Sequence, residues 1–295
     1  MVPGRRTLAG VTVVQLRSLC AVVEHGSVTA AAAQMWVTPS AVSAAVIALQ
    51  RELGVALLAK DGRGVKVTPA GLIFADYART MLGLLDEAIG AAAAADDPAK
   101  GRVRIAAVTT AAEHVLPGLL ASFRRGQPTV ALDLEVAPRD QVWAMLAAHE
   151  TDVVVAGRPP AGSGGRLRGT RANDLVVVAA PRLAADPLAT TWLLRECGSG
   201  TRATTTAYLD GLDEHPQLLT LGSNGAVVAG AVAGLGITLV ARDAVARQVA
   251  AGELVVIDLP GTPLSRPWHL VTAATGGGTL DLLVEHLLTS GFVAA

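Results

Sequence analysis

Three short stretches, Val108-Thr109-Thr110, Gly198-Ser199-Gly200-Thr201-Arg202 and Ser223-Asn224, place hydroxyls and an amide where helices are expected to start. Thr110, Ser199 or Thr201, and Asn224 each precede such a helix, and the free N–H groups of a helix N-terminus favour negative charge. Thr109 and Thr110 read as the end of a strand, VRIAAVTT, and ligands of open parallel sheets settle outside the carboxyl ends of strands. Together with Gly200 these residues outline a site for a small anion, and Arg202 adds a cation if it faces inward.

Other chemistry finds little support in the spacing. The six histidines show no paired metal-ligand spacing, so no metal is expected. Cys20 and Cys197 are far apart and lack neighbouring bases, which leaves Cys20 as core and Cys197 as a small pocket-wall residue. GSGTR and GAVAGLG are glycine-rich, yet neither has the form of a phosphate loop or a dinucleotide fingerprint, and no cofactor is implied. Asp152 and Asp174 each lead into an apolar strand and read as strand-edge residues. No set of nucleophile, base and orienting group emerges, so the chain does not read as an enzyme.

The elements that would position these groups fall into two patterns. From Val13 to Glu24 apolar residues recur at helical spacing, His25-Gly26-Ser27 stops that helix, and Ser27 caps a second one, VTAAAAQM. Thr38 then caps a third, with Pro39 at its first position and Gly54 at its end. Two short strands joined by a Gly-Arg-Gly turn follow in LLAKDGRGVKVT. Helix, helix-turn-helix and β-wing in that order make a winged helix-turn-helix over 11–68, which puts the third helix in a DNA major groove. With Val42, Val46, Leu49 and Leu53 inward, that helix presents Pro39, Ser40, Ser43, Ala44 and Ile47. Serines bond phosphates or base edges, and Ala or Ile contacts thymine methyls. The expected DNA-facing set is therefore Ser27, Thr38, Pro39, Ser40, Ser43, Ala44 and Ile47, anchored on phosphates by Arg51, Lys60, Arg63 and Lys66.

Thr68 and Pro69 open a long amphipathic helix over 69–97, with Leu72, Ala75, Ala78, Leu82, Leu85 and Ile89 as its stripe, for which a partner helix is the expected cover. From Arg102 strand and helix alternate as βαβαβ, the pattern of a parallel sheet. A Pro/Gly-rich crossing over 158–171 leads to a second lobe, at about 168–262, and PGTPLSRP crosses back. The first lobe is thus expected at about 101–165 and 267–295, and the two form a clamshell. The stretch 221–241 is apolar enough to raise a membrane span, but its Ser-Asn-Gly start and repeated glycines divide it into a capped helix and a buried strand.

Composition agrees. Of 295 residues 51% are hydrophobic and the net charge is -1, so any DNA contact must come from a local patch such as Arg5, Arg6, Arg17, Arg51, Lys60, Arg63 and Lys66. Two distant cysteines suit a reducing cytoplasm, and the start MVPGRRTLAG has no following apolar region of the secretory kind.

AVVEHGSVTAAAAQMWVTPSAVSAAVIALQRELGVALL followed by GRGVKVTPAG resembles the amino-terminal domain of LysR-type transcriptional regulators, and VLPGLLASFRRGQPTVALDLEV, RECGSGTR and VAGLGITLVAR resemble their effector domain. The resemblance covers nearly the whole chain. It implies an α/β protein with an N-terminal winged helix-turn-helix, a dimerisation linker helix and a two-lobed, periplasmic-binding-protein-like (type 2) effector domain over 101–295. It further implies double-stranded promoter or operator DNA, a small-molecule co-inducer, a homodimer or dimer of dimers, and RNA polymerase as partners, and no membrane. The chain departs from the family at Thr38-Pro39-Ser40 in place of Ser-Gln-Pro, at Ala44 in place of a common arginine, at Ala30 in place of a basic residue, and at LLAKD in place of Leu-Phe-x-Arg. Two alternatives stay open: a degenerate regulator whose helix-turn-helix contacts protein, and a cytoplasmic small-molecule-binding protein.

Overall fold

The computed structural model describes residues 10–62, 64–212, 215–273 and 277–295. The expected DNA anchor Arg63, and Arg5 and Arg6 of the basic patch, lie outside these described residues. The chain divides into two compact units, residues 1–89 with 148–150, and residues 90–147 with 151–295.

In the first unit α1 is Val13–His25, α2 Val28–Gln34 and α3 Pro39–Leu53, and a hairpin of β1 (Leu58–Asp61) and β2 (Gly64–Val67) leads into α4 (Pro69–Asp96). Local chemistry sets each boundary. Thr12 and Gln15 form a reciprocal capping box on α1, Ser27 Oγ accepts from Ala30 N, and Thr38 Oγ1 accepts from Ala41 N. Gly26 at φ 64 and Gly54 at φ 67 close α1 and α3 in the left-handed region, where a Cβ is penalised. The axes of α2 and α3 meet at 110° across a four-residue connection, the angle of a helix-turn-helix. Leu19, Val46, Leu49, Leu57 and Ala75 form the core beneath.

α4 is about 42 Å long at 1.5 Å per residue. Its expected single apolar stripe is in fact two faces. Ala75 and Ala78 are fully buried within the unit, and a Cβ on Gly71 would meet Leu57 O at 2.1 Å, so this face is small because backbone approaches it closely. Leu72, Leu85 and Ile89 of the same stripe are exposed in the single chain, together with Ile73, Tyr77, Met81 and Leu84.

In the second unit the elements are β3 (Arg102–Ala107), α5 (Thr109–His114), α6 (Leu116–Gly126), β4 (Ala131–Val136), α7 (Arg139–Ala147), β5 (Val153–Ala156) and β6 (Arg166–Arg171). There follow β7 (Asp174–Ala179), β8 (Trp192–Leu194), α8 (Gly200–Gly211), β9 (Leu218–Thr220), α9 (Asn224–Ala233), β10 (Thr238–Ala241), α10 (Arg242–Ala250), β11 (Val255–Ile257) and β12 (Leu264–Ser265). The chain ends with β13 (Trp268–Thr272), α11 (Gly278–Ser290) and β14 (Val293–Ala294). One sheet has the order β14-β6-β13-β5-β3-β4, with β4, β3 and β5 parallel as the βαβαβ pattern requires. A second sheet gathers β10, β11 and β12 around β7, and β8 pairs β9 beside it. Asp152 is a strand-edge clamp, its carboxylate accepting from Arg104 N at 2.7 Å and Arg104 Nη2 at 2.6 Å.

Two expectations need correction, and one helix is additional to those expected. β3 stops at Ala107, so Thr109 and Thr110 open α5 and do not end a strand. β6 pairs β13 in the first sheet, so 158–171 is not a crossing; the chain leaves that sheet at 172–173 and returns at 266–267. α10, which no capping side chain announces, follows β10 with no connecting residue. The apolar 221–241 stretch is α9, capped by Ser223 and closed by Gly234, followed by the buried β10, as read. Among the described residues no single helix is long and apolar enough to cross a membrane.

Candidate functional site

Two sites can be built from these elements, one in each unit. On α3 of the first unit, Thr38, Pro39, Ser40, Ala44, Ile47 and Arg51 are exposed and Ser43 is half-buried, while Val42, Val46 and Leu49 point into the core. The outward face carries no charged side chain before Arg51. Thr38 Oγ1 and Ser40 Oγ share a hydrogen bond of 3.0 Å, so the hydroxyls that open α3 are held as a pair. Ser27 is half-buried and its hydroxyl is engaged as the α2 cap.

The hairpin is tied to α3 by Gln50, a polar residue that no motif or spacing in the sequence marks out. Gln50 Oε1 accepts from both Leu57 N and Leu58 N at 2.8 Å, which sets the wing's approach to the helix. Thr68 Oγ1 donates to Ala56 O at 2.8 Å and accepts from Gly71 N at 2.9 Å, so the same strand entry is fixed to the start of α4. Register separates the wing's cations. Lys60 pairs with Val65 and Lys66 with Ala59, and paired residues share a face, so the two lysines project from opposite faces of the hairpin. Lys60 lies on the face of Leu58 and Val65, which pack on the core, and Lys66 lies on the outward face. Both are exposed.

In the second unit a cavity of about 770 Å³ opens between the two sheets, lined by Thr109, Thr110, Ser199, Gly200 and Thr201 as expected. Thr110 is buried, and Ser199 caps the twelve-residue α8, its Oγ accepting from Arg202 N at 3.4 Å. The first N–H groups of α8 are therefore donors at the cavity wall. Two expected residues are elsewhere. Arg202 turns away, donating from Nη1 to Arg195 O at 2.7 Å and Thr220 Oγ1 at 3.0 Å. Asn224, the first residue of α9, is buried, accepts from Arg195 Nη1, and borders a different recess of about 440 Å³ along α9 and α10.

The cations of the cavity are Arg139, Arg158, Arg195 and Arg266, against Glu196 as the one carboxylate in its lining. Arg195 is buried and bidentate to Glu196, at 2.7 and 2.6 Å, and this pairing holds the Glu196 carboxyl below its usual range. Arg139 opens α7 and donates to Arg158 O at 2.8 Å. Arg158 and Arg266 are exposed side chains with no hydrogen-bond or ion-pair partner among the described residues. His269 and Trp268 close the first-sheet side, and Trp268 Nε1 is buried with no acceptor among the described residues. At the crossings Arg266 N donates to Asn173 O and Asn173 Nδ2 to Arg266 O, each at 2.8 Å, so the two connections are bonded to one another beside the cavity. Four arginines from four separate segments are invisible as a cluster in sequence, and only the fold brings them together. Cys197 lines the same wall, as expected of a small pocket residue. Cys20 is half-buried with Sγ 3.8 Å from Ala75 O, and burial pushes its thiol up to about 11.

Residues 13–72 match the family described as bacterial regulatory helix-turn-helix protein, lysR family, and residues 96–289 match the LysR substrate binding domain. The HTH-type transcriptional regulator CbbR of Rhodospirillum rubrum is 32% identical over 266 residues, covering 87% of this chain and 88% of its own. The crystal structure of CbnR, a LysR family transcriptional regulator, superposes with a TM-score of 0.69 at 23% identity, over 95% of this chain and 99% of that one. The regulatory domain of Synechocystis PCC6803 CcmR, solved in complex with 2-PG, gives a TM-score of 0.56 at 26% identity over 62% of this chain and 96% of its own.

Proposed function

The chain belongs to the LysR family of bacterial transcriptional regulators, and we propose that it reads operator DNA through α2, α3 and the wing and senses a small oxyanion in the cavity between the two sheets of its second unit. The observation that carries the ligand reading is the convergence of Arg139, Arg158, Arg195 and Arg266 on one cavity with a single carboxylate. Arg195 is neutralised by Glu196 and Arg139 pairs with Asp140 at 3.2 Å, so Arg158 and Arg266 are the cations left to meet a ligand. The N–H groups of α8 and the hydroxyls of Ser199 and Thr201 add donors, and an anion satisfies all of them together. CcmR, described with 2-PG bound, supports the same reading. The protein acts in the cytoplasm as a homodimer or dimer of dimers, with RNA polymerase as its downstream partner.

Calorimetry with a panel of carboxylates, phosphates and inorganic oxyanions tests the ligand half. The Arg158→Ala variant should lose roughly tenfold to a hundredfold in affinity, the range of one charge-assisted hydrogen bond. Thr201→Val should weaken the same anion to a smaller extent. An effector that is cationic or wholly apolar, or an anion whose affinity ignores both variants, defeats the site.

A further inference from the structure

The four tryptophans divide sharply. Trp143, Trp192 and Trp268 are 3%, 0% and 7% exposed, whereas Trp36 is 95% exposed. Trp36 also holds a φ of 55, in the left-handed region that a bulky side chain enters only at a cost. Its setting explains the backbone. Trp36 N donates to Ala33 O at 3.3 Å and Val37 N to Ala32 O at 3.0 Å, the paired bonds that close a helix through one left-handed residue. Glycine is the usual occupant of that place, and this chain uses it at the ends of α1 (Gly26) and α3 (Gly54). At the end of α2 it places an indole instead, and points it into solvent.

We propose that Trp36 is a DNA contact, its indole lying along the sugar–phosphate backbone beside the groove that α3 enters. This rests on the DNA-reading assignment above and extends it to a residue outside the helix face. Trp36 is two residues from Thr38, so its Cα is at most about 7.6 Å from the N-cap. In a helix-turn-helix the first residues of the second helix contact base edges, and a group tethered that closely to them meets the flanking backbone. The chemistry fits the vacancy of charge on α3, whose exposed face has no Lys or Arg before Arg51. Apolar area from the indole, with one N–H for a phosphate oxygen, supplies affinity that does not come from counterion release. Val37, also exposed, extends the same apolar surface.

The position gives a direct readout, because Trp36 is the one exposed tryptophan of the four. Titrating the full-length protein with duplex DNA from upstream of its own gene should quench indole emission, and Trp36→Phe should abolish most of that change. Trp36→Ala should weaken the duplex about tenfold with the salt slope unchanged, as expected for lost apolar burial, whereas Lys66→Ala should lower the slope by about one. Trp36→Gly suits the left-handed backbone, so it should melt no lower than wild type yet bind DNA as weakly as the alanine variant. Saturating duplex that leaves the emission unchanged, or a Trp36→Ala protein that binds within twofold of wild type, overturns the proposal while leaving the DNA reading intact. Normal DNA binding by that variant with loss of RNA polymerase recruitment assigns the indole to a protein partner and likewise overturns it. A wild-type protein that binds no duplex overturns both this contact and the reading beneath it.

Discussion

His269 stands in the cavity lining with Nδ1 donating to Pro267 O at 3.0 Å, and burial holds its imidazole below the usual histidine range. The Pro267 hydrogen bond opposes that shift and the nearby Arg158 charge adds to it. The folded pKa is therefore below the unfolded value of 6.5, and the folded state binds fewer protons. Stability linked to this residue is fully present above pH 6.5 and is lost as the pH falls through the depressed pKa. A bound anion reverses the balance, since it favours the imidazolium, so binding below neutrality should take up as much as about one proton. Calorimetry at pH 6 in buffers of different ionisation enthalpy measures that uptake directly, and affinity should rise as pH is lowered from 7.5 to about 6. His269→Gln should abolish both effects; an uptake that survives it belongs to another group. None of this was legible in the sequence, where His269 is one histidine among six and Arg158 lies more than a hundred residues away.

At the scale of elements, α4 is the test of assembly. Its small face packs within its own unit, while Ile73, Tyr77, Met81, Leu84 and Ile89 remain exposed on a helix of 28 residues. A second copy of α4 is the expected cover. Replacing Tyr77 and Met81 by Glu would bury two carboxylates in that contact and should weaken self-association by a hundredfold or more, at a cost of about 3 kcal/mol, read by sedimentation equilibrium. A doubly charged variant that stays dimeric assigns the stripe to something else. The existence of this helix followed from Thr68, Pro69 and the apolar period, but its covered face did not, because Ala75 and Ala78 bury nothing conspicuous and owe their burial to Gly71 admitting the Leu57 carbonyl. The same contrast runs through the fold. Helices bounded by Ser, Thr, Pro and Gly were readable to within a residue or two, since each boundary is a local hydrogen bond. α5 and α10 were not, for Val108 and Ala241 hand strand to helix with no side-chain cap. β6 was hidden in a Pro/Gly-rich stretch because its membership in the first sheet is decided by β13, about a hundred residues on.

For the whole molecule the question is how a ligand in the second unit alters DNA reading by the first. An oxyanion held by Arg158 on one sheet and by the start of α8 on the other gains contacts when the sheets approach, and the approach must turn at 172–173 and 266–267, where Asn173 and Arg266 bond the two crossings together. The unit boundary falls after Ile89, inside α4, so one helix carries residues of both units. We propose that closure biases α4 and that, in a dimer, the two copies of α4 set the separation of the two winged heads. The effector should therefore change which half-site spacing is preferred more than it changes affinity for a single half-site. Operators differing by one helical turn, about 10.5 base pairs, separate these quantities. Linkage makes the test reciprocal: if the anion shifts preference between two duplexes by some factor, the favoured duplex must tighten the anion by that factor relative to the other. Calorimetry of the effector on protein saturated with each duplex measures the second quantity, and competition footprinting in its presence measures the first. Equal effector affinities on both duplexes would show that closure does not reach the heads, and the cavity would then have to act through RNA polymerase contact alone.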